Sequence, residues 1–150
     1  FVPGRIQVFG QLLSLRTIDV CGFDLRGFNA FRCNDSVWVD QEHIHATDWF
    51  KKQQADNLSE PFLMFELDLN RPTSIPPAGV EVQLEVTATS AGVFNALVFW
   101  GQLHLIDQAT DTFVDLGPNL RKPRPFEHRA RRQHLRYVGY ERRLSVGERV

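Results

Sequence analysis

With 150 residues, 43% of them hydrophobic and 23% charged, the chain has the size and balance of one globular domain, which excludes a fibrous or disordered polypeptide. Its longest apolar runs, such as Ala96 to Trp100, fall far short of the roughly 20 residues a membrane-spanning helix needs, so no membrane partner is expected. The net charge of -1 conceals an asymmetry: Arg121 to Arg143 holds nine of the seventeen basic residues and two acids, Glu127 and Glu141, so the remainder is acidic.

Phe1 to Arg16 has neither a basic leader nor a small-residue cleavage site, so it is not expected to be a signal peptide; opening on Phe1 rather than Met, the chain is expected to begin inside a longer protein. Arg5 to Leu12 alternates polar and apolar residues with period two, the pattern of a half-buried strand. From Asp19 to Asn57 the pattern dissolves into Gly22-Phe23-Asp24-Leu25, Gly27-Phe28-Asn29-Ala30-Phe31, Val37-Trp38-Val39 and a polar Lys51-Lys52-Gln53-Gln54. That is too long for a bare loop, and an excursion with short helical pieces and exposed aromatics is expected. Two cysteines, Cys21 and Cys33, are too few to staple the fold, which fits free thiols in a reducing, intracellular compartment. Asn34-Asp35-Ser36 and Asn57-Leu58-Ser59 have N-glycosylation spacing, which counts only in a secreted context.

Alternation resumes with Phe65, Leu67 and Leu69 on one face and Glu66 and Asp68 on the other. Arg71 to Gly79 is proline-rich and reads as a loop. Val80 to Ala88 alternates almost perfectly, and Ala91-Gly92 leads into the apolar strand Asn95 to Leu105. Pro61 to Leu105 therefore predicts a three-strand antiparallel meander. After a polar turn comes Val114-Asp115-Leu116-Gly117-Pro118, and weaker strands are expected around Leu135 to Val138 and from Leu144. The fold class is mainly β, a barrel or a sandwich.

Chemical constellations are sparse. His43 and His45 alternate beside Glu42 and Asp48, but no third histidine follows at a recognised spacing, so no metal site is expected. His104 reads as a satisfied structural histidine, and Phe99 and Trp100 as core or interface residues. No Gly-x-Ser-x-Gly nucleophile turn occurs.

Asn95 to Leu105 followed by Gly117-Pro118 resembles the strand and Gly-Pro turn in the C-terminal barrel of the protein arginine N-methyltransferase family. Pro3 to Leu12 is similar to that barrel's first strand, Gly22-Phe23-Asp24-Leu25 with Phe28-Asn29 to the family's dimerisation arm, and Leu58-Ser59-Glu60-Pro61 to the return into the barrel. This wording is closest to the subgroup with duplicated methyltransferase modules. Gln133, Tyr137-Val138 and Leu144-Ser145-Val146-Gly147-Glu148 resemble the segment after the family's Thr-His-Trp loop. The loop itself departs: its positions are filled by Arg129, Ala130 and Arg131, unless a two-residue shift puts His128 in the histidine's place.

The resemblance implies an antiparallel β-barrel, incomplete at the C-terminus, with an arm containing short helices inserted at about 19–57. It implies that Phe23, Asp24 and Phe28 pair two modules, as a homodimer or pseudo-dimer, and that His128, Arg129 and Arg131 face the cofactor domain or the substrate. Loss of the family's tryptophan wall removes a cation-π attraction worth about 0.5 to 2 kcal/mol. The glycine-rich cofactor loop and paired glutamates that the family uses are absent, Glu141 and Glu148 having an unrelated spacing. S-adenosyl-L-methionine and the arginine-containing protein substrate are thus expected to engage the parent protein's cofactor domain, and the chain alone is not expected to methylate. Because the family's barrel continues beyond the point matching Val150, an edge is expected to need cover. The alternative is a non-catalytic β-barrel interaction module that binds an acidic partner or RNA through Arg121 to Arg143. With only Phe126, Tyr137 and Tyr140 as rings in that run, nucleic acid is the weaker expectation.

Overall fold

The computed structural model describes residues 3–16, 19–20, 22–24, 26–27, 55–71, 73, 77, 79, 81–105, 113–115 and 134–150. They form eight strands: β1 Arg5–Leu15, β2 Asp19–Val20, β3 Phe23–Asp24, β4 Ala55–Asn57, β5 Phe62–Asp68, β6 Gly92–His104, β7 Phe113–Asp115 and β8 His134–Leu144. All six strand pairings are antiparallel. The main sheet is built on two long strands, β1 and β6, paired from Arg5↔His104 to Leu13↔Ala96. On its other edge β1 is shared: β5 covers Arg5 to Gly10 and β4 covers Leu13 to Leu15. The far edge of β6 is shared in the same way, by β7 at Gln102 to His104 and β8 at Gly92 to Phe99.

The expected strand at Arg5 runs on to Leu15 because the alternation that marks a half-buried strand stops where both faces are covered. Every residue from Gly10 to Leu15 is buried. Leu13, Leu15, Ala55, Ala96, Val98 and Trp100 pack on one face, with Phe9 stacked on its cross-strand partner Trp100 at 6.3 Å between ring centroids. Leu12, Leu58, Val86, Ala88, Phe94 and Leu144 pack on the other. Each such large side chain contributes about 1.5 to 3 kcal/mol when fully buried.

The three-strand meander is not formed. β5 and β6 do not pair with each other; each pairs with β1, which lies between them. Short connections alone did not reveal a strand from earlier in the chain placed between the two. Likewise β8 is one strand, with a register shift opposite Phe94/Ala96, where two short strands were expected.

Between β5 and β4 the edge of β1 would leave the Leu12 backbone without partners, and the Leu58-Ser59 corner supplies them and takes the Gln11 side chain as well. The Leu58 N–H donates to Leu12 O at 2.9 Å, the Leu12 N–H donates to Ser59 Oγ at 3.0 Å, and Gln11 Nε2 donates to Ser59 O at 2.8 Å. At the other edge Asn95 does the same for Leu15, accepting from its N–H at 2.8 Å and donating to its carbonyl at 3.0 Å.

Val86–Ala88 form a strap between the two edges of the sheet. Thr89 N–H donates to Leu58 O at 2.8 Å on one side, while Val86 and Val150 exchange two hydrogen bonds of 3.0 and 2.9 Å on the other. The strap is reached from β8 through a turn in which Gly147 has φ +84° and Glu148 accepts from Ser145 N–H and Arg142. These two contacts, the backbone bond first, hold the Glu148 carboxyl below its ordinary range. Among the described residues the sheet does not close into a full barrel.

Gly92 lies where a Cβ would sit 2.6 Å from Leu58 Cδ2, and Leu58 is fully buried. Gly92→Ala is therefore expected to destabilise the fold by about 1 to 3 kcal/mol through overpacking. Gly27→Ala, with open space at its Cβ, is expected to stay within about 0.5 kcal/mol. Urea unfolding of both variants measures the contrast.

Candidate functional site

Two features outside the apolar clusters bring charged, polar or exposed aromatic side chains together. The first is the β2–β3 hairpin, a separate two-stranded sheet with Asp19↔Asp24 and Val20↔Phe23 in register. Its two-residue connection needs a residue at positive φ, and Gly22 supplies it at +85°. Phe23 then stands 71% exposed, a large apolar ring with no cover among the described residues. Beside it Asp24 is gripped by Arg26: the backbone N–H donates to Oδ1 at 3.0 Å, Nε to the same oxygen at 2.9 Å, and Nη2 to Oδ2 at 2.6 Å. The guanidinium first, then the backbone N–H, lowers the Asp24 carboxyl to about 2. The hairpin thus presents an exposed aromatic beside a fixed, neutralised acid.

The second is a closed polar ring at the β5 end of the sheet, on the same face as the Phe9–Trp100 stack. Arg5 Nη2 lies 3.2 Å from His104 Nδ1, His104 Nε2 lies 3.0 Å from Gln7 Oε1, Gln7 Nε2 donates to Glu66 Oε2 at 2.6 Å, and Glu66 Oε2 lies 3.7 Å from Arg5 Nη1. A guanidinium only donates, so Nδ1 accepts and Nε2 carries the proton toward Gln7. His104, 7% exposed, is the satisfied structural histidine expected from its setting. The ring brings together three strands and locks their register. Its members sit at polar positions of alternating strands, but only the Gln7↔Glu66 and Arg5↔His104 registers reveal that they meet.

Of the sequence-derived candidates, Phe23 and Asp24 lie together on the hairpin. Phe28, His128, Arg129 and Arg131 lie outside the described residues, as do Cys21, Cys33, His43 and His45. Sequence reasoning missed Arg26, whose spacing of two from Asp24 was the available signal. Within Arg121 to Arg143, Arg142 is occupied by Glu148 at 2.8 Å, while Arg136 and Arg143 are exposed. No group of three or more histidine, cysteine or acidic residues among the described residues is placed to hold a metal ion, and no helix among them is long and apolar enough to cross a membrane.

No family model matches the chain, and no curated protein matches it in sequence. In structure it is similar to a chain of the Trypanosoma brucei PRMT1 enzyme–prozyme heterotetrameric complex with AdoHcy, with a TM-score of 0.56 and 15% identity over 98% of the present chain. It spans 44% of that chain's length. At this identity the likeness is one of fold: a mainly antiparallel β domain of the arginine methyltransferase barrel type.

Because the Asp24 carboxyl is depressed, its tie to Arg26 is fully present above about pH 4 and is lost as the pH falls toward about 2. A carboxyl-carbon NMR titration should place Asp24 near 2, and Arg26→Ala should return it toward about 3.9. Separately, His104→Phe is expected to destabilise the fold by about 1 to 3 kcal/mol, because Gln7 and Arg5 lose a partner at a partly buried site; thermal unfolding reads the difference.

Proposed function

We propose that the chain is the substrate-side barrel and pairing arm of an S-adenosylmethionine-dependent protein arginine N-methyltransferase, of the subgroup with duplicated modules, and that it does not transfer methyl groups alone. The observation that carries this reading is the fold likeness along 98% of the chain, which runs in the same direction as the sequence resemblance. The Leu58-Ser59-Glu60-Pro61 motif gains a physical reason in the same terms. Leu58 and Ser59 make the corner that seats β4 and β5 on β1, and Pro61, which has no N–H to leave unpaired, stands just before β5.

In this reading S-adenosylmethionine supplies the methyl group from a cofactor domain of the parent protein, and the substrate is an arginine-containing protein. The barrel's own work is to hold the substrate side and to pair modules. Phe23 provides the apolar contact of that pairing, with Asp24 beside it and Phe28 assigned to the same pairing by the resemblance, and Arg26 fixes Asp24 so that little side-chain entropy is lost on docking. His128, Arg129 and Arg131 face the cofactor domain or substrate. An arginine cluster there repels a basic substrate, which favours a supporting over an active module. The AdoHcy and the enzyme–prozyme assembly of the structural neighbour are in keeping with a cofactor domain and a paired module, and a count of only two cysteines is in keeping with an intracellular location.

The experiment is to express the chain alone and joined to its upstream reading frame, and to follow tritiated methyl transfer from S-adenosylmethionine to an arginine-rich protein. The expected result is no transfer by the chain alone and transfer by the joined protein or its paired module. Phe23→Ser should weaken module pairing roughly 10- to 100-fold, the cost of losing one buried phenylalanine. An upstream frame without a cofactor loop, or an in-frame start directly before Phe1, contradicts the proposal.

A further inference from the structure

β8 pairs with β6 near its two ends and leaves it in between. His134 to Tyr137 pair with Ala96 to Phe99, and Arg142 to Leu144 with Gly92 to Phe94, so four residues, 138–141, stand against the single residue Asn95. Asn95 gives its side chain to Leu15, and Val138 packs against the second apolar cluster. What the bulge presents outward is Tyr140, 65% exposed, in keeping with the use of bulges to re-aim a side chain. Arginines flank it. Six of the eight described arginines are ion-paired with a carboxylate, Arg142 among them through Glu148. The two that are not are Arg136, four residues before Tyr140, and Arg143, three after it; both are exposed and have no side-chain partner among the described residues. At about 3.3 Å per extended residue both guanidiniums start within roughly 13 Å of the ring along the chain.

We propose that the β8 bulge is a docking site for an acidic, extended segment of a partner protein, with carboxylates on Arg136 and Arg143 and an apolar residue between them on the Tyr140 ring. Charge selects the occupant. A guanidinium is a planar fork of donors that matches a carboxylate, and these two, unlike the other described arginines, have no carboxylate of the chain's own to meet. They lie in the Arg121–Arg143 run, which holds nine of the seventeen basic residues. Tyr140 adds a rigid, amphipathic contact that loses little entropy on binding. A nucleic-acid strand fits less well, because it brings a phosphate at every nucleotide and Glu141 stands exposed next to Tyr140. Such a strand also wants successive rings to stack on, and one ring of β8 is exposed among the described residues. A peptide sets a neutral residue opposite Glu141 and keeps its carboxylates for the arginines. The site goes beyond the proposed methyltransferase reading and does not rest on it: its side chains are not on the β2–β3 hairpin, and methyl transfer has no part in its test.

The test is an NMR titration, at low salt, of the isotope-labelled 150-residue chain with an eight-residue, end-blocked peptide that has glutamate at both ends, one leucine in the middle and serine elsewhere. The expected result is saturating shifts at the Arg136, Tyr140 and Arg143 amides, with β1 amides unchanged as the control for folding. Arg136→Gln with Arg143→Gln should weaken binding about 3- to 20-fold, the loss of two exposed ion pairs, and Tyr140→Ser about threefold. Arg16→Gln with Arg71→Gln, which removes the same charge from arginines that are already paired, should change it by less than about twofold. A peptide with lysine for glutamate should not bind. Equal weakening by the two double variants would reduce the effect to net charge and overturn the proposal. So would unchanged spectra at millimolar peptide, tighter binding of a single-stranded oligonucleotide of equal charge at the same amides, or shifts at Tyr140 that follow the chain's own concentration without peptide.

Discussion

The structure depends on satisfying the backbone of β1 along its whole length, and the Leu58-Ser59 corner is where that is hardest. A strand flanked by two short strands in succession has a gap between them, and a buried N–H or C=O left in such a gap costs about as much as a lost hydrogen bond. Here one dipeptide fills it. Leu58 and Ser59 bond both backbone groups of Leu12 and the side-chain amide of Gln11, and the Leu58 carbonyl also takes the Thr89 N–H that anchors the strap. The Leu58 side chain is fully buried against the same strap. Local chain direction, sheet pairing and core packing thus meet at one point, and Gly92 leaves the space they need.

The strap divides the sheet's second face in two. Under it, Leu12, Leu58, Phe94 and Leu144 are buried. Toward the other end of the same face, Ile6, Val8, Leu67 and Leu103 are only half-buried and Phe65 is exposed. At that end register is held on the opposite face by the Arg5–His104–Gln7–Glu66 ring, closed by three hydrogen bonds and an ion pair. The hairpin is a separate sheet with its aromatic outward.

Much of this was legible in the residues. Period-two alternation located β1 and β5, because each has at least one stretch with a clear inside and outside, and an apolar run located β6. Alternation ended β1 too early, since Gln11-Leu12-Leu13-Ser14-Leu15 is buried on both faces and no longer alternates. It made a strand of Val80 to Ala88, because alternation reports which faces a segment could bury and is silent on whether a neighbour is present to pair with it. Strand order was not legible either: that β1 lies between β5 and β6 is decided by long-range pairing, which leaves no local signature. At the hairpin, Phe23 and Asp24 were marked by the resemblance to an arm and by the expectation of exposed aromatics, whereas the turn at Gly22 was not, since short helical pieces were expected there. The polar ring was not marked either, because His104 and Arg5 are 99 residues apart and meet only through register.

Native-state amide exchange through residues 81–90 measures the role of the corner and its strap most directly. The Val86, Ala88 and Thr89 amides, bonded to Val150, Glu148 and Leu58, should exchange nearly as slowly as those of β1, with a sharp boundary to free exchange at Glu81–Glu85. Equal exchange on both sides of that boundary would mean that the strap does not join the two edges of the sheet, and would contradict the architecture at its centre.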